Sequence, residues 1–522
     1  MSASHPKTFV TLISVLITLG AIGAITLTSL LSFNRTPAGK LATHAATVPA
    51  AVSAVTPISI PIEAIALLLK GEQAIGEKDY QTAVTLFSDA IDLVPEYESA
   101  YIKRGLAYKA LGFYKQSLAD LSTTMELTGE TSDRLRERGD LYVLTGDDAR
   151  AVSDYTKAIK LNPGDIEAYN NRSIAYARLN KSNEAISDIE HVISIMPDRA
   201  SAYFNRAVLY ESVNKLENAL VDYSKAIQLS RDNVGDIYMR RGLLYSRMEK
   251  TSEALADFEQ AVSLGVEDET LYNERGVIYW NLDRPEQALA EFGMALSLNN
   301  QNPVIYFNRG GVYLNVRQYD LAIADYDRAI QLDPSNPLYF NNRGLTHYLN
   351  DNPEQAISDY DQAIQLNPNY AAAYQNRANA LSHSKELSLA IENYTKVIEL
   401  EPNSPDAYYN RGIVEYQLED YEAALVDFNT IIDAEMPNVV QALNMRAVVF
   451  YTQKKYSLAL DDLTAAIEQD SEYSASYERR AIIYIESGKK REAVADLKRY
   501  LELETDPDLR KQAEKQLQSL GG

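Results

Sequence analysis

Residues 303–336 read PVIYFNRGGVYLNVRQYDLAIADYDRAIQLDPSN, and residues 337–370 read PLYFNNRGLTHYLNDNPEQAISDYDQAIQLNPNY. Laid over one another, the two 34-residue windows agree in columns: aromatic (Tyr306, Phe340), Asn (Asn308, Asn342), Arg (Arg309, Arg343), Gly (Gly310, Gly344), Ala (Ala322, Ala356), Asp (Asp325, Asp359), Tyr (Tyr326, Tyr360) and Pro (Pro334, Pro368). Self-similarity at a fixed period of this length is the signature of a repeat architecture, in which each unit buries its apolar face only against its neighbours.

Working outward, the small residue that anchors each window recurs as Gly71, Gly105, Gly139, Ser173, Ala207, Gly242, Gly276, Gly310, Gly344, Ala378, Gly412, Ala447 and Ala481. All steps are 34 residues except those ending at Gly242 and Ala447, which are 35. Twelve residues after each anchor stands Ala, or Ser at Ser117. Two columns of small residues at that spacing predict two antiparallel helices in close approach. Aromatics recur four residues before the anchor (Tyr169, Tyr203, Tyr306) and three after it (Tyr108, Tyr176, Tyr313), which places them on one face of the first helix. A second aromatic column, from Phe87 and Tyr155 to Phe428, lies on the second helix, and Pro95, Pro163, Pro334 and Pro368 close repeats where a helix stops. The chain holds 36 Tyr against 11 Phe and one Trp, and these columns read the excess as packing and not as a cofactor box.

The pattern resembles the tetratricopeptide repeat, and the resemblance runs from about Glu63 to Glu504. It implies an all-α fold, a right-handed α-solenoid of antiparallel helix pairs whose first helices line a concave groove. The expected organisation is a membrane anchor or signal sequence over 1–35, an Ala/Thr/Pro-rich linker over 36–62, about thirteen repeats over 63–504, and a capping helix over 505–522, striped by Leu509, Ala513, Leu517 and Leu520.

Arg precedes the anchor in every repeat but the first, as in Arg104, Arg309, Arg343 and Arg377. An acid follows sixteen residues later in all but one of those, as in Asp120, Asp325 and Asp359; the exception, Asn393, keeps an acceptor. The first repeat lacks both members, with Lys70 and Leu86 in their places. Columns that appear and vanish together predict structural ion pairs between the two helices of a repeat, Arg309 with Asp325 and Arg343 with Asp359. One residue before the Arg, the recurring Asn171, Asn205, Asn308, Asn342, Asn376 and Asn410 are candidate peptide-binding residues, because an amide both donates and accepts and can hold a backbone without reading its sequence. Similar asparagine ladders are known in some tetratricopeptide and armadillo-type grooves. The lysine of the family's terminal-carboxylate clamp is missing beside these positions, so that specificity is not carried over.

Catalysis is not expected. There is no Cys, and His5, His44, His191, His347 and His383 are scattered; His347 stands in a tyrosine column, where packing is the expected role. No phosphate loop, dinucleotide fingerprint, nucleophile elbow or metal-spaced cluster occurs, so no catalytic residue, metal or cofactor is expected. A net charge of −23 opposes nucleic acid as a partner and favours basic or polar ones. Residues 9–33, FVTLISVLITLGAIGAITLTSLLSF, carry no charge, and as a helix they would extend roughly 37 Å, enough to cross a bilayer. The expected localisation is therefore single-pass in a membrane, with the repeats on the outer or periplasmic side. The functional expectation is a membrane-anchored scaffold or adaptor that takes a protein or peptide ligand in its groove. The alternatives are a self-associating, homo-oligomeric spacer and a regulatory subunit of an enzyme supplied in trans.

Overall fold

The structure, a computed structural model, describes residues 60–521. Among these residues there are 27 helices and no strand. They fall into two compact units, one ending at Asn281 and the other beginning at Leu282. In the first, hairpins such as Ile62–Gly76 with Tyr80–Leu93 and Ser132–Leu144 with Asp148–Leu161 follow one another up to Glu269–Asn281. The second opens with Pro285–Leu298 and continues through Pro303–Asn315 with Tyr319–Leu332, Pro337–Leu349 with Pro353–Leu366, and their successors to Lys490–Leu503 and a last helix, Pro507–Ser519. Each unit is an all-α solenoid of antiparallel helix pairs.

The local rules behind a pair are visible in its turn. Seven residues after every anchor the backbone is left-handed, with φ of 79° at Gly112, 62° at Arg317 and 63° at Glu419. Gly, Asn, Lys, Glu, Asp and Arg all occupy this column, so the turn is imposed by the packing of the two helices and not by glycine. The amide of the next residue then reaches back five positions, Gln318 N to Tyr313 O at 2.8 Å, and closes the helix end. Second helices stop before proline, where Asp333 takes an extended φ of −140°.

The core repeats as well. Ala83, Ala151, Ala322 and Ala356 of the second-helix small column are 0% exposed. The aromatic ring four residues further on, Phe87, Tyr155, Tyr326 or Tyr360, is fully buried and lies over the backbone of the anchor glycine. At the carboxyl end Ala513, Leu517 and Leu520 pack on Tyr477, Leu497 and Tyr500, while Leu509 stays 40% exposed.

One expectation is corrected. No helix among the described residues is long and apolar enough to cross a membrane. Those helices run 13 to 15 residues, whereas the hydrocarbon core requires about 20. The run at 9–33 that suggested an anchor lies outside the described residues, as does most of the linker. The single-pass localisation, and the outer or periplasmic placement of the repeats with it, is withdrawn.

Candidate functional site

Successive first helices touch one another, Ile62–Gly76 with Glu98–Ala110 in the first unit and Pro337–Leu349 with Ala371–His383 in the second, more than successive second helices do. The first helices therefore form the inner side of each stack, and what they present there is the surface a partner would meet.

Behind that face runs the arginine ladder. Arg309 donates through Nε and Nη2 to the two carboxylate oxygens of Asp325 at 2.8 and 2.7 Å, and Arg343 does the same to Asp359 at 2.9 and 2.5 Å. These are bidentate, charge-assisted pairs with the acid buried, at 5% exposure for both Asp325 and Asp359. Tyr306 and Tyr313 flank the Arg309 guanidinium, each 5.8 Å away at the ring centroid. Where Asn393 replaces the acid it still accepts from Arg377 Nε at 2.9 Å.

The guanidinium has a third edge, and its partner was not singled out in the sequence. Nη1 reaches the second helix of the preceding repeat: Arg104 to Ser88 at 3.0 Å, Arg172 to Thr156 at 3.0 Å, Arg343 to Asp327 at 2.6 Å, Arg411 to Thr395 at 2.9 Å and Arg480 to Thr464 at 3.2 Å. Each partner lies sixteen residues upstream of its arginine. For Arg241 and Arg446, which follow the two 35-residue steps, the partners Ser224 and Asn429 lie seventeen upstream. Each arginine so placed ties three helices together and couples neighbouring repeats. The same column holds Gly293 opposite Arg309, and a Cβ added there meets nothing within 4 Å. Gly293→Ala should stabilise the second unit by about 1 kcal/mol through helix propensity. Gly293→Asp should offset the poorer helix propensity of aspartate, up to about 0.7 kcal/mol relative to alanine, because it supplies the partner that Arg309 Nη1 lacks in the preceding helix. Urea midpoints compare the two, and an aspartate variant that trails the alanine one by that full amount, about 0.7 kcal/mol, removes any contribution from the third edge.

The asparagine column sits between first helices. Asn205, Asn308 and Asn342 are buried at 3%, 5% and 6% exposure, while Asn171, Asn376 and Asn410 are half-buried. Asn171 Nδ2 donates to Asp140 of the preceding first helix at 2.8 Å, Asn205 Nδ2 to Asn170 at 3.2 Å and Asn376 Nδ2 to Asn341 at 3.0 Å. Asn342 turns back to Leu338 O at 2.9 Å. Asn410 makes no side-chain hydrogen bond among the described residues. Three of the six asparagines, Asn171, Asn205 and Asn376, thus link one repeat to the one before it.

The inner faces of the two units differ in charge. In the first, links between successive first helices use ionic groups: Lys103 with Glu72 at 2.7 Å, Arg247 with Glu211 at 3.5 Å, and Ser246 with Glu274 at 3.2 Å. Burial raises the pKa of Asp140, Glu211 and Glu274, against the hydrogen bonds that Tyr155, Tyr223 and Ser246 donate to them. In the second, neutral links predominate, Asn376 with Asn341, Tyr416 with Thr452 at 3.1 Å, and Asn444 with Ser476 at 2.7 Å, and a carboxylate enters where Tyr451 donates to Glu486 at 2.5 Å. Buried acceptors remain unpartnered there, namely Gln375 Oε1 and Asn444 Oδ1. His347 fits its column as a packed ring. Burial lowers its pKa, which keeps it neutral at pH 7, and Nε2 lies 4.0 Å from Asp359. No group of three His, Cys, Asp or Glu able to hold a metal ion occurs among the described residues.

Family models described as TPR repeat or tetratricopeptide repeat match residues 139–180, 166–199, 200–233, 239–303, 318–351, 337–370, 359–392, 384–419, 409–474 and 474–507, together more than half of the chain. The chain belongs to the tetratricopeptide repeat family. Among solved structures, it is similar to YrrB, described as a TPR protein with an unusual peptide-binding site, at 29% identity over 38% of this chain and 97% of that one, with a TM-score of 0.33. It is also similar to the Cut9–Hcn1 hetero-tetramer of the APC/C, at 13% identity over 80% of this chain and 96% of that one, with a TM-score of 0.40. Yeast Tom70 matches at 18% identity over 88% of this chain and 95% of that one, with a TM-score of 0.37.

Proposed function

We propose that this tetratricopeptide repeat protein is a scaffold that captures a protein or an extended peptide segment along its first-helix face and catalyses no reaction itself. The repeats are proposed to run over 63–504, with a closing helix over 505–522. What supports the reading is the inner face itself. It carries amides and hydroxyls in the second unit, with the half-buried Gln375, Asn376, Asn410 and Tyr416 among them, and a peptide backbone presents the complementary donors and acceptors. The asparagine column is proposed to act in two ways. Asn205, Asn308 and Asn342 set the spacing of the repeats from within, and Asn376 and Asn410, with Gln375, meet the captured segment.

A photocrosslinking residue placed in turn at Gln375, Tyr416 and Val426 tests this. The first two belong to the inner face, and Val426, 62% exposed, stands on a second helix. Adducts to another protein are expected from 375 and 416 and not from 426. Equal yields from all three positions would exclude inner-face capture, and adducts only between copies of this chain would replace it with self-association.

A further inference from the structure

The column three residues after each anchor places Tyr108, Tyr176, Tyr210, Tyr245, Tyr313 and Tyr484 against the ladder arginines. At one repeat it holds an acid, Glu415, only 8% exposed. Its Oε1 lies 3.8 Å from Arg411 Nε, beyond hydrogen-bond reach, and its Oε2 has no partner. Arg411 is committed elsewhere: Nε and Nη2 hold Asp427 at 2.8 and 2.7 Å, Nη1 holds Thr395 at 2.9 Å, and no N–H of the guanidinium reaches Glu415. One guanidinium therefore stands between two buried carboxylates, Asp427 being 1% exposed. Two like charges in such a setting do not both ionise at their ordinary pH.

No other element packed here supplies a compensating cation: on the preceding first helix, Ala371–His383, Arg377 is held by Asn393 and Asp361, and His383 packs edge-on against Tyr348. Asp420, in the turn after Glu415, adds a further negative charge. The preceding second helix, Leu387–Leu400, keeps Glu392 exposed and pairs Lys396 with Glu399 at 2.9 Å on its outer side. The following first helix, Val439–Thr452, carries one charge, Arg446, and Asp462 holds it at 2.7 Å.

We propose that Glu415 is a proton-binding site and that its proton sets how firmly the hairpin of Pro405–Gln417 and Tyr421–Asp433 is held in the second unit. Burial first, and Asp427 second, push the Glu415 carboxyl up to about 7 against the pull of Arg411. The direction of the effect follows from linkage. A carboxyl whose pKa is higher in the folded chain than in the unfolded one binds its proton more tightly when folded. Its contribution to stability is then greatest at the acidic end, falls as pH rises above the ordinary glutamate value near 4.5, and is fully lost above about 7. The same helix presents Tyr416 to the inner face, so the proton also governs the firmness of the surface proposed above; the test below reads folding alone and is independent of any partner.

Native-state hydrogen exchange of the full chain, corrected for intrinsic rates, measures the opening equilibrium of residues 405–433 at pH 5 and pH 8. Relative to Glu415→Gln, which imitates the protonated form, the unmodified chain should open roughly 100-fold more readily at pH 8 than at pH 5. Glu415→Tyr, which restores the column, should follow Gln. Ratios that stay within threefold of Gln across this range overturn the proposal. Should either variant fail to fold, the carboxyl signal of Glu415 in the carbon-13-labelled chain decides: a midpoint near neutrality supports the site, and one near 4.5 removes it.

Discussion

Asp325→Ala should lower the stability of the second unit by about 3 kcal/mol, the cost of stranding a paired and largely desolvated charge. The carboxylate it removes is 5% exposed and takes two donors of Arg309 at 2.8 and 2.7 Å. The guanidinium left behind is flanked by Tyr306 and Tyr313, and three-quarters of its side chain is out of water. Arg309→Ala should cost a similar amount by leaving Asp325 buried and unpaired. Asp325→Ala with Arg309→Ala should cost clearly less than the two added together, since neither charge then remains uncompensated. A double-mutant cycle on urea unfolding reads the difference. Strict additivity would mean that each side chain acts alone and that the ladder is only a coincidence of two polar columns.

The second large effect is a pair of opposite signs at one column. Gly139→Ala should destabilise the first unit by about 2 kcal/mol through overpacking. The new Cβ would stand 2.6 Å from Tyr155 Cε1 and 2.9 Å from its Cδ1 and Cζ. That ring cannot retreat, being 1% exposed and held by its hydroxyl to Asp140 at 2.7 Å. Gly105→Ala should instead stabilise by up to about 1 kcal/mol, because alanine is the better helix former. There the nearest atom to the added Cβ is Asp120 Cβ at 3.5 Å, and the residue in the ring column is Leu121. Thermal unfolding of the two variants suffices. A Gly139→Ala variant as stable as the parent chain would show that the two helices of this hairpin move apart at little cost.

Both predictions start from columns that could be read before any coordinates were known. Pairing at a separation of sixteen residues was legible, because the two partners lie in one hairpin whose geometry a 34-residue period enforces. The third guanidinium edge was harder to find. Its partners Ser88, Thr156, Ser224, Asp327 and Thr395 are polar but vary between Ser, Thr and Asp, and their meaning depends on where the previous hairpin docks. The left-handed turn column was hidden for a similar reason: Lys78, Glu249, Arg317 and Glu419 carry no local signal for positive φ, and the helix pairing imposes it. Glu415 could be seen to interrupt a tyrosine column, but its unusual proton affinity needed its burial and the commitment of Arg411 to Asp427 and Thr395. The apolar run at 9–33 suggested a localisation that no described helix supports.

The chain's own periodicity, by itself, determined the all-helical class, the hairpin unit, the small and aromatic columns that interlock within it, and the Arg–Asp register. Contacts that recur inside one covalent repeat leave their imprint at a constant separation. Tertiary structure alone decided what happens between hairpins, at sixteen or seventeen residues for the third arginine edge and at 35 for the asparagine links between first helices. It turned Asn205 and Asn376 towards the preceding helix, joined most first helices of the first unit through charged groups and most of the second through neutral ones, and buried one carboxylate too many beside Arg411. An amide or a carboxylate satisfies many environments equally well in sequence, and only the packing of the neighbouring first helix selects one of them.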